Sequence, residues 1–215
     1  MSKKKEWPVS IIKDIEEINS YNAPVRTISI LIPIDSVKFG KDCIELLNAI
    51  IKKLYKKDRM NLGDRIVGTK TSTHQILKDQ GLAGELKTFG FLTKGGSKAQ
   101  GNATANKLKD SVGEYIKKWY GGSGVSIFGV SAMDGYHSML LTYQRKDGKS
   151  KFTLIDQGPA TSFLTGKSTF YTANDLDSSL SEYVKDRQDK RVGKNGIYEY
   201  PADIALFKIY PETPK

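Results

Sequence analysis

The dipeptide Asp147-Gly148 separates two runs that each read as a strand, and no other feature limits the possible folds as strongly. Tyr136 to Gln144 precedes it and Lys151 to Gln157 follows it, both rich in aromatic and aliphatic residues. An Asp-Gly pair supplies the positive φ angles of a two-residue turn, so the runs are expected to form an antiparallel hairpin. Loop length then sets the register: Lys146 faces Lys149, Tyr143 faces Phe152, Leu141 faces Leu154 and Met139 faces Asp156. Side chains alternate along a strand, so His137, Met139, Leu141 and Tyr143 share a face with Phe152, Leu154 and Asp156. His137 and Asp156 stand out on that apolar face and become diagonal neighbours, within reach of each other after modest twist. Gln157 falls on the opposite face.

Around this hairpin the pattern is α+β. Ile11, Ile12, Ile15 and Ile18 recur at helical spacing over residues 9–19. Thr27 to Ile34 reads as a strand weakened near Pro33. From Cys43 to Lys56 a helix is expected, with Cys43, Leu46, Leu47, Ile50, Ile51 and Leu54 on one stripe and lysines 52, 53, 56 and 57 opposite. The signal weakens from Asn61 to Gly96, where Thr73 caps a short helix that holds His74 near the surface. Lys94 to Asn102 reads as a loop, and Ala103 to Tyr120 as a helix ended by Gly121-Gly122. Val125 to Val130 and Asp203 to Tyr210 read as strands, and Leu176 to Lys185 as a helix with Asn174 as its cap. There is no internal repeat and no clear linker. The reading is one domain over 1–215, with 1–26 as an N-terminal extension and 61–124 as an insertion or lid.

The chain has 215 residues, 38% of them hydrophobic and 27% charged, which suits a globular core. Its single cysteine excludes an internal disulfide framework and a cysteine-based zinc site. No His-Glu-x-x-His run or carboxylate cluster marks a metal enzyme, and no cofactor is expected. Gly121-Gly122-Ser123-Gly124 lacks the Gly-Lys-Ser/Thr ending of a phosphate loop. The net charge of +10 favours anionic partners. Lysine dominance suits diffuse attraction more than base reading, so nucleic acid is the weaker choice among them. No apolar run is long enough to span a membrane, and the start carries lysines without an apolar stretch, unlike a secretory signal.

Cys43 opens its helix. There, unpaired backbone N–H groups and the helix dipole favour negative charge, which lowers a thiol's pKa and offers N–H donors to an oxyanion. A small core residue is the plain alternative for a cysteine on an apolar stripe. His137 as base and Asp156 as its orienting partner complete a nucleophilic arrangement, provided the His137 face docks on the apolar stripe of the Cys43 helix. For His137 the alternative is a satisfied strand-end histidine, and for Asp156 a cap of the turn Asp156-Gln157-Gly158-Pro159.

Asp42-Cys43 at a helix start, Gly135-Tyr136-His137-Ser138-Met139-Leu140-Leu141, and then Leu154-Ile155-Asp156, in that order, resemble the papain-like cysteine peptidases. Bacterial cell-wall amidases and endopeptidases are the nearest members in size. The likeness covers roughly residues 35 to 160, and Ile44 stands where those enzymes commonly carry Ser or Trp. It implies a papain-like fold whose N-terminal helix bears the nucleophile and packs on a C-terminal antiparallel sheet. It implies cleavage of an amide in peptide or peptidoglycan, with Cys43, His137 and Asp156 as the catalytic residues. Without a classical signal peptide, such an enzyme is expected to be an effector injected into a target cell, a secreted or lysis protein, or otherwise cytoplasmic. An antibacterial toxin of this kind needs a cognate immunity protein. The rival reading is a non-enzymatic basic module that binds nucleic acid or an anionic surface.

Overall fold

The structure is a computed structural model that describes residues 6–20, 25–26, 43–57, 59–92, 112–116, 118, 124–132, 137–156, 169–173 and 202–212. Among the described residues, three helices, α1 (Val9–Ser20), α2 (Cys43–Leu54) and α3 (Thr73–Asp79), occur with seven strands: β1 (Val25–Arg26), β2 (Lys87–Leu92), β3 (Val125–Ala132), β4 (His137–Lys146), β5 (Lys149–Asp156), β6 (Thr169–Ala173) and β7 (Ala202–Ile209). All pairings are antiparallel, in the order β1-β6-β5-β4-β3-β7-β2. The class is therefore α+β. The strand expected over 27–34, the loop at 94–102 and the helix over 176–185 lie outside the described residues.

The β4–β5 hairpin forms as its turn dictates. Asp147 and Gly148 take φ values of 51° and 74°, and the ladder pairs Lys146 with Lys149, Tyr143 with Phe152 and Leu141 with Leu154. The Tyr143 and Phe152 rings meet with centroids 4.6 Å apart. β3 continues the sheet through Val125 opposite Gln144 and Ala132 opposite His137. β7 joins its far side, with Ile127 opposite Ile209. Gly129 of β3 lies directly beneath the Phe207 ring, where any Cβ would collide with the ring. β2 forms an edge strand that the sequence pattern did not reveal; Lys87 and Thr88 on it are exposed.

Both faces of the sheet are covered, because β4 is buried from His137 through Gln144. On one face, Val125, Ile127, Leu140, Ile155, Phe207 and Ile209 pack against the apolar sides of α1, α2 and α3. Leu47, Ile50, Ile51 and Leu54 give α2 its buried stripe, each contributing about 1.5–3 kcal/mol by leaving water. On the other face, Phe128, Val130, Met139, Leu141, Tyr143, Phe152, Ile204 and Leu206 pack against Val112 and Ile116 of the helical turn at 112–116. The 61–124 region thus supplies α3, β2 and this turn to the body of the fold. The N-terminal segment likewise places Trp7, Ile11 and Ile15 in the α2 core.

α2 is fixed at both ends of its neighbourhood. Asn48 donates to the Gly63 carbonyl at 2.8 Å and accepts from the Thr73 hydroxyl at 2.9 Å, tying the helix to the segment before α3. Tyr55, just past the helix, donates to the Tyr210 carbonyl at 2.6 Å and stacks near Trp7 at 5.8 Å between centroids.

Candidate functional site

The C-terminal end of α2 is held beside the sheet. Tyr210 directly follows β7, and Ile209 pairs with Ile127 near the start of β3, which in turn pairs with the later part of β4. The Tyr55–Tyr210 hydrogen bond therefore sets the end of α2 beside the hairpin-turn end of the sheet. The helix packs against β4 and, at 12 residues, is about 18 Å long, with Cys43 as its first residue. At the end of the sheet away from the hairpin turn, β4 begins with His137 and β5 finishes with Asp156, paired with Thr169.

Cys43 is half-buried at the helix start, and Glu45 is the acidic residue of that first turn. His137 is buried, with 5% of its surface exposed. The side chain of Asp156 lies outside the described set. β4 thus starts, and β5 stops, at the same end of the sheet.

The packing between them differs from the sequence expectation. The apolar stripe of α2 docks on the Leu140 and Ile155 face of the sheet, not on the face shared by Met139, Leu141, Tyr143 and Phe152. His137 belongs by strand alternation to that second face, which Val112 and Ile116 cover. The face that α2 takes alternates through Ser138, Leu140, Thr142 and Gln144, which reads as the polar side of the strand although all four are buried. A helical turn from 112–116 takes the one that the sequence assigned to α2. Any meeting of Cys43 and His137 must then occur over the rim at the end of the sheet, beyond the packed faces.

His74, expected near the surface, is instead buried with 8% exposure. Its Nε2 lies 2.9 Å from the Gly84 carbonyl oxygen, and its ring sits 4.7 Å from that of Phe207. Hydrogen-bonded and packed on the core, it is a structural histidine.

Two polar features escaped the sequence reading. Lys208 is buried on β7, donating from Nζ to Ser126 Oγ at 2.7 Å and lying 5.1 Å from the centre of the Phe128 ring. Its sequence signal was a lysine inside the apolar run Ile204 to Ile209. The other feature is an open basin of about 660 Å³ past the C-terminal end of α2, lined by Lys56, Lys57, Arg59, Met60, Asn61 and Gln80. Among the described residues, no group of three or more His, Cys, Asp or Glu side chains is arranged to hold a metal ion, and no helix is long and apolar enough to cross a membrane.

No protein-family model and no curated protein matches the sequence. Among solved structures, the chain is similar to the crystal structure of the Pseudomonas avirulence protein AvrPphB, with 13% identity and a TM-score of 0.31 over 81% of this chain and 68% of that one. A likeness of that size carries no argument about fold family or activity.

Proposed function

We propose that this chain is a cysteine hydrolase of papain-like type that cleaves an amide bond, with Cys43 as nucleophile, His137 as general base and acid, and Asp156 as the group that orients the imidazole. One observation supports the reading above the rest: His137 opens β4 and Asp156 closes β5 at one end of the sheet, while α2, whose first residue is Cys43, has its C-terminal end held at the other. In the reaction, the Cys43 proton passes to His137 and the sulfur attacks the carbonyl carbon. The tetrahedral oxyanion collapses to a thioester as His137 returns the proton to the departing amine. Water, deprotonated by the same imidazole, then releases the acid and restores the thiol. Backbone N–H groups of the first turn of α2, that of Cys43 foremost, are the donors available to the oxyanion.

The substrate we propose is a peptidoglycan peptide, following the resemblance of the Asp42-Cys43 and Gly135 to Leu141 segments to cell-wall hydrolases. The charge of +10 would concentrate the enzyme on an anionic wall. In this reading the protein is an antibacterial effector delivered to a target cell, and its producer carries an immunity protein. Mass spectrometry of purified peptidoglycan after incubation tests the reading. The wild type is expected to release newly cleaved peptides and Cys43→Ala none, with both proteins equally folded; equal digestion by both contradicts it.

The net charge of +10 favours a second reading, a basic module that binds nucleic acid or an anionic surface without catalysis. Binding of that kind weakens steeply with salt and is indifferent to alkylation of Cys43.

A further inference from the structure

The basin past the end of α2 is lined by three cations. Lys52 and Lys53 already lie in the last turn of α2, where cations complement the negative end of the helix dipole. Lys56, Lys57 and Arg59 come after the helix has ended and line the basin. Lys57 is paired with Glu212. Lys56 and Arg59 are exposed, and among the described residues neither has an ion-pair partner. Asp58, between Lys57 and Arg59 in the sequence, lies outside the described residues. Lys56 moreover adopts a φ of 54°, a left-handed position where helix ends usually carry glycine or asparagine. A lysine here accepts backbone strain, and the turn carries its side chain onto the rim of the basin.

Asn61 and Gln80 add amide donors to the same rim, while Met60 supplies an apolar patch. Among the described residues, the lining holds no aromatic ring on which a base could stack. The basin is open to solvent, with a volume of about 660 Å³. We infer that this basin is a binding site for a small ligand bearing two or more phosphates, with Lys56 and Arg59 contacting the phosphate oxygens. Lys57 is already engaged by Glu212 and serves at the margin. The site stands at the opposite end of α2 from Cys43 and is independent of the hydrolase reading.

Isothermal titration of the full chain with inorganic triphosphate, at near-physiological salt, tests the inference. Wild type is expected to bind with one-to-one saturation, and Lys56→Ala/Arg59→Ala to bind at least about tenfold more weakly, as the loss of one or two charge-assisted contacts implies. Lys87→Ala/Lys118→Ala removes the same charge from exposed positions elsewhere and is expected to bind as wild type. Thermal unfolding of each variant confirms that it is folded. Absence of saturable binding, an unchanged affinity in Lys56→Ala/Arg59→Ala, or an equal loss in both double variants overturns the site. A phosphatidylglycerol vesicle bound while triphosphate is not also overturns it, since the ligand would then be a surface and not a small molecule.

Discussion

The hydroxyl of Tyr55 donates to the backbone carbonyl of Tyr210 across 2.6 Å, joining the end of α2 to the end of β7. This bond links residues 155 positions apart and holds the C-terminal end of α2 against the end of β7. The same hydroxyl lies 3.4 Å from the Leu82 carbonyl, which receives the Tyr210 N–H at 2.8 Å. Helix, sheet and the segment after α3 therefore meet at one buried phenol.

Tyr55→Phe is expected to destabilise the fold by about 1–2 kcal/mol, the usual cost of orphaning a buried carbonyl partner. The effect depends on pH in a defined direction. Burial first, and then the charge of Glu212, raise the pKa of Tyr55 above the ordinary tyrosine value. Tyr210 is raised as well, by burial and then by Glu85. Both phenols lose their protons at higher pH in the folded chain than in the unfolded chain, which ionises from about pH 10 upward. The unfolded state then binds fewer protons, so the stabilisation is fully present below that pH and is lost as pH rises through it. Urea unfolding at pH 8 and pH 10.5 should show a smaller alkaline loss in Tyr55→Phe than in wild type.

Thr142 makes the opposite prediction. It is fully buried on the α2 side of β4, and among the described residues its hydroxyl has no hydrogen-bond partner. Thr142→Val keeps the β-branched shape suited to a strand and removes an unpaired polar atom. Stability should rise by about 1 kcal/mol, read from the denaturant midpoint at constant slope.

The two histidines should separate cleanly. His74→Ala loses the bond to Gly84 and the contact with Phe207, and should cost about 2–4 kcal/mol while leaving the activity of each folded molecule unchanged. His137→Ala should lower the hydrolysis rate by about 10²–10⁴-fold, the range for loss of a general base, in protein shown by circular dichroism to be folded. Equal loss of activity in both, corrected for folded fraction, would remove His137 from the mechanism.

The sequence and the structure agree where local chemistry decides. The two-residue Asp147-Gly148 loop fixes the ladder, so the pairing of Tyr143 with Phe152 was legible before any coordinates. The stripe from Leu46 to Leu54 marks α2 for the same reason: its period of 3.6 residues has no competing reading. The choice of face was not legible. Leu140 and Thr142 are as deeply buried as Met139 and Leu141, so alternation along β4 does not say which side α2 occupies. β2 escaped because Gly90 interrupts a short run whose Lys87 and Thr88 face solvent, as an edge strand allows. His74 was misplaced because α3 has only seven residues, and Thr73, His74 and Leu77 form its buried side. The order of Cys43, His137 and Asp156 is plain in the sequence, but their separation by strand face is a tertiary property.

The alkylation rate of Cys43 by iodoacetamide, measured against pH in folded wild type and folded His137→Ala, tests the central claim most directly. The account predicts full modification without denaturant. It also predicts an inflection in the wild type below the free-thiol value of about 8.5, shifting upward when the imidazole is removed. A thiol that reacts only after unfolding, or one whose inflection sits at the free-thiol value in both proteins, contradicts a nucleophile at the start of α2.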